Sequence, residues 1–325
     1  MSASDFRAPE RRSFRAWQRY LSYVPLYVLV LPLSWTLEVT GAWKRLVRRR
    51  GAVFGAFGDY RAKAGDVFAC AGFKSGTTWL LQIATQIAHR GAAEFDDIHH
   101  VVPWPDCPPM LAPHMVPLAD PSPLARSPTG RRVIKTHLPF DAVPYSVDAL
   151  YIGLVRDPKD ACVSSYHFMR SMLLGPAMPS AATWVEMFVQ PDFAPVSWAG
   201  HLQSYWRVRE RPNVLFLTYE ELKRDSAAGI RRIAAFMSVE LAPAELAQVE
   251  RRSSFAYMKE EQRRFNPGHI VPWGRAGGYM IRRGERGGAE ELLTPEQRRR
   301  IDDACRAQLV ALESDFPYDE AFAAR

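Results

Sequence analysis

The sequence predicts an α/β fold, a central parallel sheet with helices on both faces. Three observations carry this. Short apolar runs alternate along the chain with stretches of helical period, the pattern of parallel strands joined by crossover helices. The 325 residues are 47% hydrophobic and 24% charged, enough to fill a core on both sides of a sheet and too apolar for global disorder. No internal repeat or low-complexity tract interrupts the alternation.

The elements follow in order. Residues 66–71 read as a short buried strand, 72–76 as a turn, and 77–89 as a helix with Trp79, Leu80, Ile83 and Ile87 on one face. Residues 91–130 are rich in proline and read as an irregular insertion. Residues 132–136 and 150–155 are the second and third strands, the latter followed by a helix over 158–170. A helix over 196–210 precedes a fourth strand at 213–217 and a further helix at 226–237. Residues 263–290 hold seven Gly and six Arg with little periodicity and read as a long loop. Thr294 as N-cap and Pro295 in the first turn open a closing helix.

Charge divides the chain. Residues 1–50 hold ten Lys/Arg and three Asp/Glu, while the remaining 275 residues hold 32 of each sign. The net charge of +7 therefore belongs to an N-terminal arm, residues 1–55, ahead of a single domain over 56–325, and a chain-wide nucleic-acid surface is excluded. Four cysteines with no C-x-x-C pair exclude a disulfide scaffold and a thiolate zinc site, and suit a reducing compartment.

Within the arm, residues 21–37 carry no charge, are interrupted by Pro25 and Pro32, and are flanked by five basic residues on each side. Equal flanks oppose a span with a defined inside and favour a segment lying in the interface on the cytoplasmic side. There Tyr20, Tyr23, Tyr27 and Trp35 would sit at headgroup level and the basic clusters would meet anionic lipid. A buried packing helix, and a span or export signal announced by Arg11-Arg12, are the competing readings.

Chemistry concentrates in three segments. Gly72-Phe73-Lys74-Ser75-Gly76-Thr77-Thr78-Trp79 joins the first strand to the first helix, where backbone N–H groups and the helix dipole make an anion site. Gly76 permits close approach, and Thr77 and Thr78 add hydroxyls. Lys74 precedes Gly76, so this is not the G-x-x-x-x-G-K-[ST] loop of nucleoside triphosphatases. The next strand ends in Lys135-Thr136-His137, with no obvious acidic ligand for magnesium. Lys135 and His137, two apart on an extended chain, project to one side. One can steady a developing charge while the other takes a proton. Arg156 ends the third strand and Ser164 lies two turns into the helix that follows, so both can reach one phosphate.

These segments resemble the cytosolic-type sulfotransferase family, which uses 3′-phosphoadenosine 5′-phosphosulfate. The family's 5′-phosphosulfate loop reads [Y/T]-P-K-S-G-T-T-W; this chain has Gly72-Phe73 in place of the aromatic–Pro pair and then K-S-G-T-T-W unbroken. Lys135 to Pro139, K-T-H-L-P, is similar to its catalytic segment. Residues 156–168 are similar to its 3′-phosphate motif, R-[ND]-P-K-D-x-x-x-S-x-Y-x-F. Thr218-Tyr219-Glu220 and Ser253-Ser254-Phe255-x-x-Met258-Lys259 resemble its adenine-side segments, and Arg282-Arg283-Gly284 its R-K-G.

The resemblance implies a P-loop-NTPase-like sheet and a metal-independent sulfuryl transfer to the hydroxyl, or amine, of a small acceptor. It implies His137 as base, with Lys74 and Lys135 stabilising the group in flight. Donor contacts would come from Lys74, Ser75, Gly76, Thr77, Thr78, Trp79, Arg156, Ser164, Tyr219, Ser253, Phe255, Arg282, Arg283 and Gly284. Lys159 and Asp160 read as helix-start electrostatics, and Tyr166 and Phe168 as packing. Where the family continues G-x-x-G-D-W this chain has Gly284-Glu285-Arg286-Gly287-Gly288-Ala289, so the loop's packing and any dimer contact beside it are not carried over. Trp104, Met110, Met115, Phe140, Met169, Met172 and Met187 favour an apolar acceptor pocket. A P-loop kinase of a small hydroxylated substrate and a non-catalytic nucleotide-binding membrane adaptor are the alternatives.

Overall fold

A computed structural model of the chain describes residues 16–43, 55–108, 114–193, 196–265, 281 and 288–323. A long helix, α1, comes first, in three continuous parts, Ala16–Pro25, Leu26–Val30 and Leu31–Val39. The domain follows as β1 (Asp66–Ala71), α2 (Thr77–Ala88), β2 (Arg132–Thr136), β3 (Leu150–Val155), α3 (Pro158–Met169), α4 (Ala181–Phe188), α5 (Trp198–Trp206), β4 (Val214–Thr218), α6 (Tyr219–Arg224), α7 (Ser226–Phe236), α8 (Pro243–Arg252), α9 (Phe255–Glu260) and α10 (Pro295–Ala311).

The four strands form one parallel sheet in the order β2-β1-β3-β4. Strand residues alternate between its two faces, and both faces are dry. Val67, Ala69, Ala71, Ile152, Leu154, Leu215 and Leu217 pack with Leu80, Ile83 and Ile87 of α2, Ile230 and Ile233 of α7, and Val249 of α8. Phe68, Cys70, Ile134, Tyr151 and Val214 point the other way, against Phe140 and against Tyr205 of α5. A third cluster joins Val155 to α3, α4, α5 and α10. This architecture is the α/β sheet with helices on both faces that the sequence predicts.

Boundaries move where side chains cap. Ser197 accepts the Gly200 N–H at 3.1 Å, so α5 starts at Trp198 and not at 196. Asn213 stays outside β4 because its side-chain amide donates to the Ser146 and Ala149 carbonyls. Thr294 and Gln297 close a capping box at the head of α10, an arrangement in which the cap alone contributes about 1 kcal/mol.

Pro25 and Pro32 do not interrupt α1. The helix widens between them to five-residue spacing, with the Leu31 N–H donating to the Leu26 carbonyl, which absorbs the donors the two prolines lack. Ser22 and Leu26 on its inner side are buried, Ser34 donates to the Ala177 carbonyl at 2.8 Å, and Glu38 accepts from Ser180 and Thr183. Trp43, just beyond, is buried in the cluster that holds α3 and α4.

Candidate active site

All four strands end at one edge of the sheet, and the connection leaving β1 divides from the one leaving β3 there. A crevice at such a switch point is the usual ligand site of an open parallel sheet. The segments singled out in the sequence stand at these four ends: Gly72 to Gly76 after β1, Lys135 and His137 after β2, Arg156 after β3 and Tyr219 after β4. They share one cavity of about 640 Å³.

The β1–α2 turn is tight. Ser75 N–H donates to the Gly72 carbonyl at 3.0 Å, and Lys74 takes φ +63°. Gly76 takes φ +98°, and a Cβ there would lie 2.7 Å from the Tyr219 ring. Only glycine meets both constraints. Gly72, Lys74, Gly76, Thr77, Thr78 and Trp79 line the cavity, and the N-terminus of the twelve-residue α2 points into it. The Ser75 side chain turns inward behind the loop. Its hydroxyl is buried and has no hydrogen-bond partner among the described residues.

Three cations converge. Burial and the neighbouring Arg156 charge lower Lys74 to about 8. Lys135 lies with its ammonium 3.2 Å from the centre of the Trp104 ring, and burial, opposed by Asp106, lowers it to about 7. Arg156 stacks on Tyr219 at 4.6 Å and pairs with Asp160 at 3.2 Å, leaving its buried Nε without a partner among the described residues. The two lysines, depressed by burial, are poised to have their charge restored by an incoming anion.

His137 is fixed at both ends. Its backbone N–H donates to Asp106 at 2.9 Å, and its Nδ1 lies 2.7 Å from the Ala71 carbonyl. A carbonyl can only accept, so Nδ1 carries the hydrogen and Nε2 keeps its lone pair. Burial and the Lys135 charge push the imidazole down to about 3, so it is neutral at physiological pH.

The remaining expected residues divide. Ser164, Tyr219, Ser253 and Phe255 line the same cavity. Trp79 packs edge-on to Tyr219 and donates its indole N–H to the Ser253 carbonyl at 2.8 Å, while the Ser253 hydroxyl is buried with no partner among the described residues. Phe255 and Met258, three apart, have different fates. Met258 is core and Phe255 is 38% exposed at the rim. Arg282, Arg283 and Gly284 lie outside the described residues. Ile281 just before them lines the cavity, and its carbonyl accepts from Lys259 at 2.6 Å.

Lys159 points away, to Asp302 at 2.6 Å and Asp157 at 3.2 Å, and ties α3 to α10. Tyr166 is core, whereas Phe168 lines the cavity and faces the Lys74 ammonium at 4.2 Å. Of the residues expected around an acceptor, Trp104, Met169 and Met172 line the cavity. Met115, Phe140 and Met187 are buried core instead, and Met110 lies outside the described residues.

Among the cavity residues that the sequence does not single out are Asp106, His201 and Trp198. Asp106 is pushed above the usual carboxylate range by burial, against the pull of the His137 N–H and Lys135. His201 on α5 sits against Gly72 and is pushed down to about 3 by burial. Trp198 donates to the Arg156 carbonyl at 2.8 Å and holds that strand end in place. Asp106 lies in the proline-rich insertion, where only its charge beside Trp104 marks it. His201 and Trp198 sit on a helix whose apolar face conceals them. Among the described residues no group of three His, Cys, Asp or Glu side chains is placed to hold a metal ion.

Known proteins resemble this chain in sequence and fold. The family model described as "Sulfotransferase domain" matches residues 64–313. Sulfotransferase 1C2 of Oryctolagus cuniculus is 30% identical over 278 residues, covering 81% of this chain and 89% of its own. Sulfotransferase 2A1 of Macaca fascicularis is 29% identical over 265 residues, covering 80% and 90%. The crystal structure of mouse sulfotransferase SULT7A1 complexed with PAP superposes with a TM-score of 0.61 at 28% identity, covering 79% of this chain and 88% of that one. Retinol dehydratase in complex with androsterone and inactive cofactor PAP shares the fold at a TM-score of 0.64 and 22% identity, covering 82% and 85%. With a family model over residues 64–313 and a relative 30% identical over most of both chains, the chain belongs to the sulfotransferase family.

Proposed function

We propose that this sulfotransferase, which takes its sulfuryl group from 3′-phosphoadenosine 5′-phosphosulfate, passes it to the hydroxyl of a small lipophilic acceptor in one in-line step, with His137 as general base. The observation that carries the reading is that the phosphate loop, Lys135, His137, Arg156 and Ser164 line one cavity at the strand ends. The phosphosulfate end would lie on the 72–78 loop. The 3′-phosphate would meet Arg156, whose Nε is open, with Ser164 and the Arg282-Arg283-Gly284 segment. Adenine would lie among Trp79, Tyr219, Ser253 and Phe255.

With Nδ1–H engaged by Ala71, Nε2 is the atom free to accept the acceptor's proton. As the acceptor oxygen bonds to sulfur, the bridge between sulfur and the 5′-phosphate breaks. The proton goes to His137, and adenosine 3′,5′-bisphosphate leaves. Lys74 and Lys135, already in place, meet the charge on the bridging and sulfuryl oxygens without reorganising. Holding the nucleotide at both phosphates fixes the sulfur against the acceptor. Beyond His137 the lining is Met169, Met172, Leu173, Phe188, Phe193 and Val196, which supports an apolar acceptor body. A guinea-pig relative, 30% identical over 192 residues, is named 3-beta-hydroxysteroid sulfotransferase, a name that supports the same class.

The test incubates the full chain with sulfur-labelled donor and a hydroxylated lipid extract, with and without EDTA. Label should appear in organic-soluble product equally in both. Transfer abolished by EDTA would overturn the metal-independent step, and phosphate passed from ATP to the same lipids with no sulfur label in them would indicate a kinase. Nucleotide binding with no label leaving the donor, to lipid or to water, would indicate a binding module.

A further inference from the structure

The family model begins at residue 64, so α1 is an addition to the shared domain. One side of α1 is fixed to the domain. Ser22 and Leu26 are buried, and Ser34, Leu37 and Glu38 further along are partly buried. The opposite side is apolar and open: Leu21, Val24, Val28, Leu29, Leu33 and Trp35 are 59, 63, 64, 65, 59 and 69% exposed. The described residues hold one helix long and apolar enough to cross a bilayer, Leu21–Val39. Crossing would strip Ser34 from Ala177 and Glu38 from Ser180 and Thr183, leaving a carboxylate in hydrocarbon. A helix docked on one side and apolar on the other lies along a surface instead.

Where α1 docks matters. Ala177, Ser180 and Thr183 belong to the stretch that runs from the end of α3 into α4. The same stretch lines the acceptor end of the cavity through Met172, Leu173 and Phe188. Arg170–Leu174 within it has five-residue helical spacing, a geometry frequent at functional sites. It ends at Gly175 with φ +54° and ψ −125°, a conformation open to glycine alone.

We propose that the outer face of α1 seats the enzyme on an anionic lipid bilayer, and that residues 170–183 are the gate through which a membrane-dissolved amphiphilic alcohol reaches His137. The occupant of the face follows from charge: ten Lys/Arg against three Asp/Glu in residues 1–50 surround an apolar segment bearing Tyr23, Tyr27 and Trp35. The identity of the acceptor rests on the sulfotransfer reading; the seating and the gate do not.

Hydrogen exchange on the full chain tests this. It is measured alone, with phosphatidylcholine vesicles, with mixed phosphatidylcholine and phosphatidylglycerol vesicles, and with adenosine 3′,5′-bisphosphate. The mixed vesicles should slow exchange in 16–39 and alter it in 170–183, leaving 72–79 unchanged. The bisphosphate should protect 72–79 with or without vesicles, and its failure to do so would count against the nucleotide reading alone. Val28→Glu/Leu29→Glu should reduce vesicle co-flotation by about tenfold or more while leaving bisphosphate affinity unchanged. No vesicle-dependent change, or undiminished flotation of the double variant, would overturn the seating. Protection of 16–39 that rises with protein concentration in the absence of lipid would give the face to a second copy of the chain, and also overturn it. Protection of 16–39 with 170–183 unaffected would overturn the gate.

Discussion

Beneath the strand tips the cavity wall is the backbone of the β1–α2 turn with Lys74, Lys135, His137 and Arg156, all held at the strand ends by the sheet. Between α3 and α4 it is Met169, Met172, Leu173 and Phe188, carried outside the sheet on α3, α4 and the turn between them. On the proposed reading the first wall meets an invariant polyanion through N–H groups and a glycine that no other residue can replace. The second recognises shape through side chains that can be exchanged without disturbing the sheet. A change at the nucleotide end should therefore alter binding of every donor analogue, and a change at the acceptor end should alter only which alcohol is used.

Three measurements put that contrast at risk. The largest effect is expected between the two ends. His137→Ala should lower turnover by about 10²–10⁴-fold, the range for loss of a general base, with adenosine 3′,5′-bisphosphate affinity unchanged. Wild-type turnover in that variant would remove His137 from the role of base. Next, Arg156→Ala should weaken the bisphosphate by about 10–100-fold, the loss of charge-assisted hydrogen bonds, whereas Met172→Ala should leave it unchanged and alter only acceptor KM. Equal effects of the two on calorimetric affinity would erase the distinction between the ends.

The smallest effect is in protons. Lys135 near 7 and Lys74 near 8 are partly neutral in the empty cavity at pH 8, and a bound polyanion restores their charge. Bisphosphate binding should therefore take up protons at pH 8 and not at pH 6, where both lysines are already charged and the ligand's phosphates, with a second pKa of about 6, give protons up. Its affinity should fall from pH 7 to 9. Calorimetry in buffers of different ionisation enthalpy reads this, and net proton release at pH 8 would contradict it.

The same contrast governs what the sequence discloses. The nucleotide end is legible because each contact group is contiguous in the chain. A strand that must be buried on both faces is a continuous apolar run, and the turn after it must carry Gly76. The four strands fall within a residue of their expected places for that reason. Helices α4, α6, α8 and α9 pass unnoticed. They are short or dominated by charge, and α6 and α9 begin inside segments that read as motifs. The acceptor end is assembled from distant stretches. Composition marks Met172 and Met187 as apolar, but not that one lines a cavity while the other is buried in the cluster around α4. Asp106 depends on an irregular insertion folding back over β2, which no local pattern announces.

The most direct test is a crystal structure of the full chain with adenosine 3′,5′-bisphosphate. The account predicts the 5′-phosphate on the loop from Gly72 to Thr78, the 3′-phosphate on Arg156 and Ser164, and His137 Nε2 facing the open side of the 5′-phosphate. A nucleotide lodged elsewhere, or one whose 5′-phosphate turns away from Lys135 and His137, would contradict it.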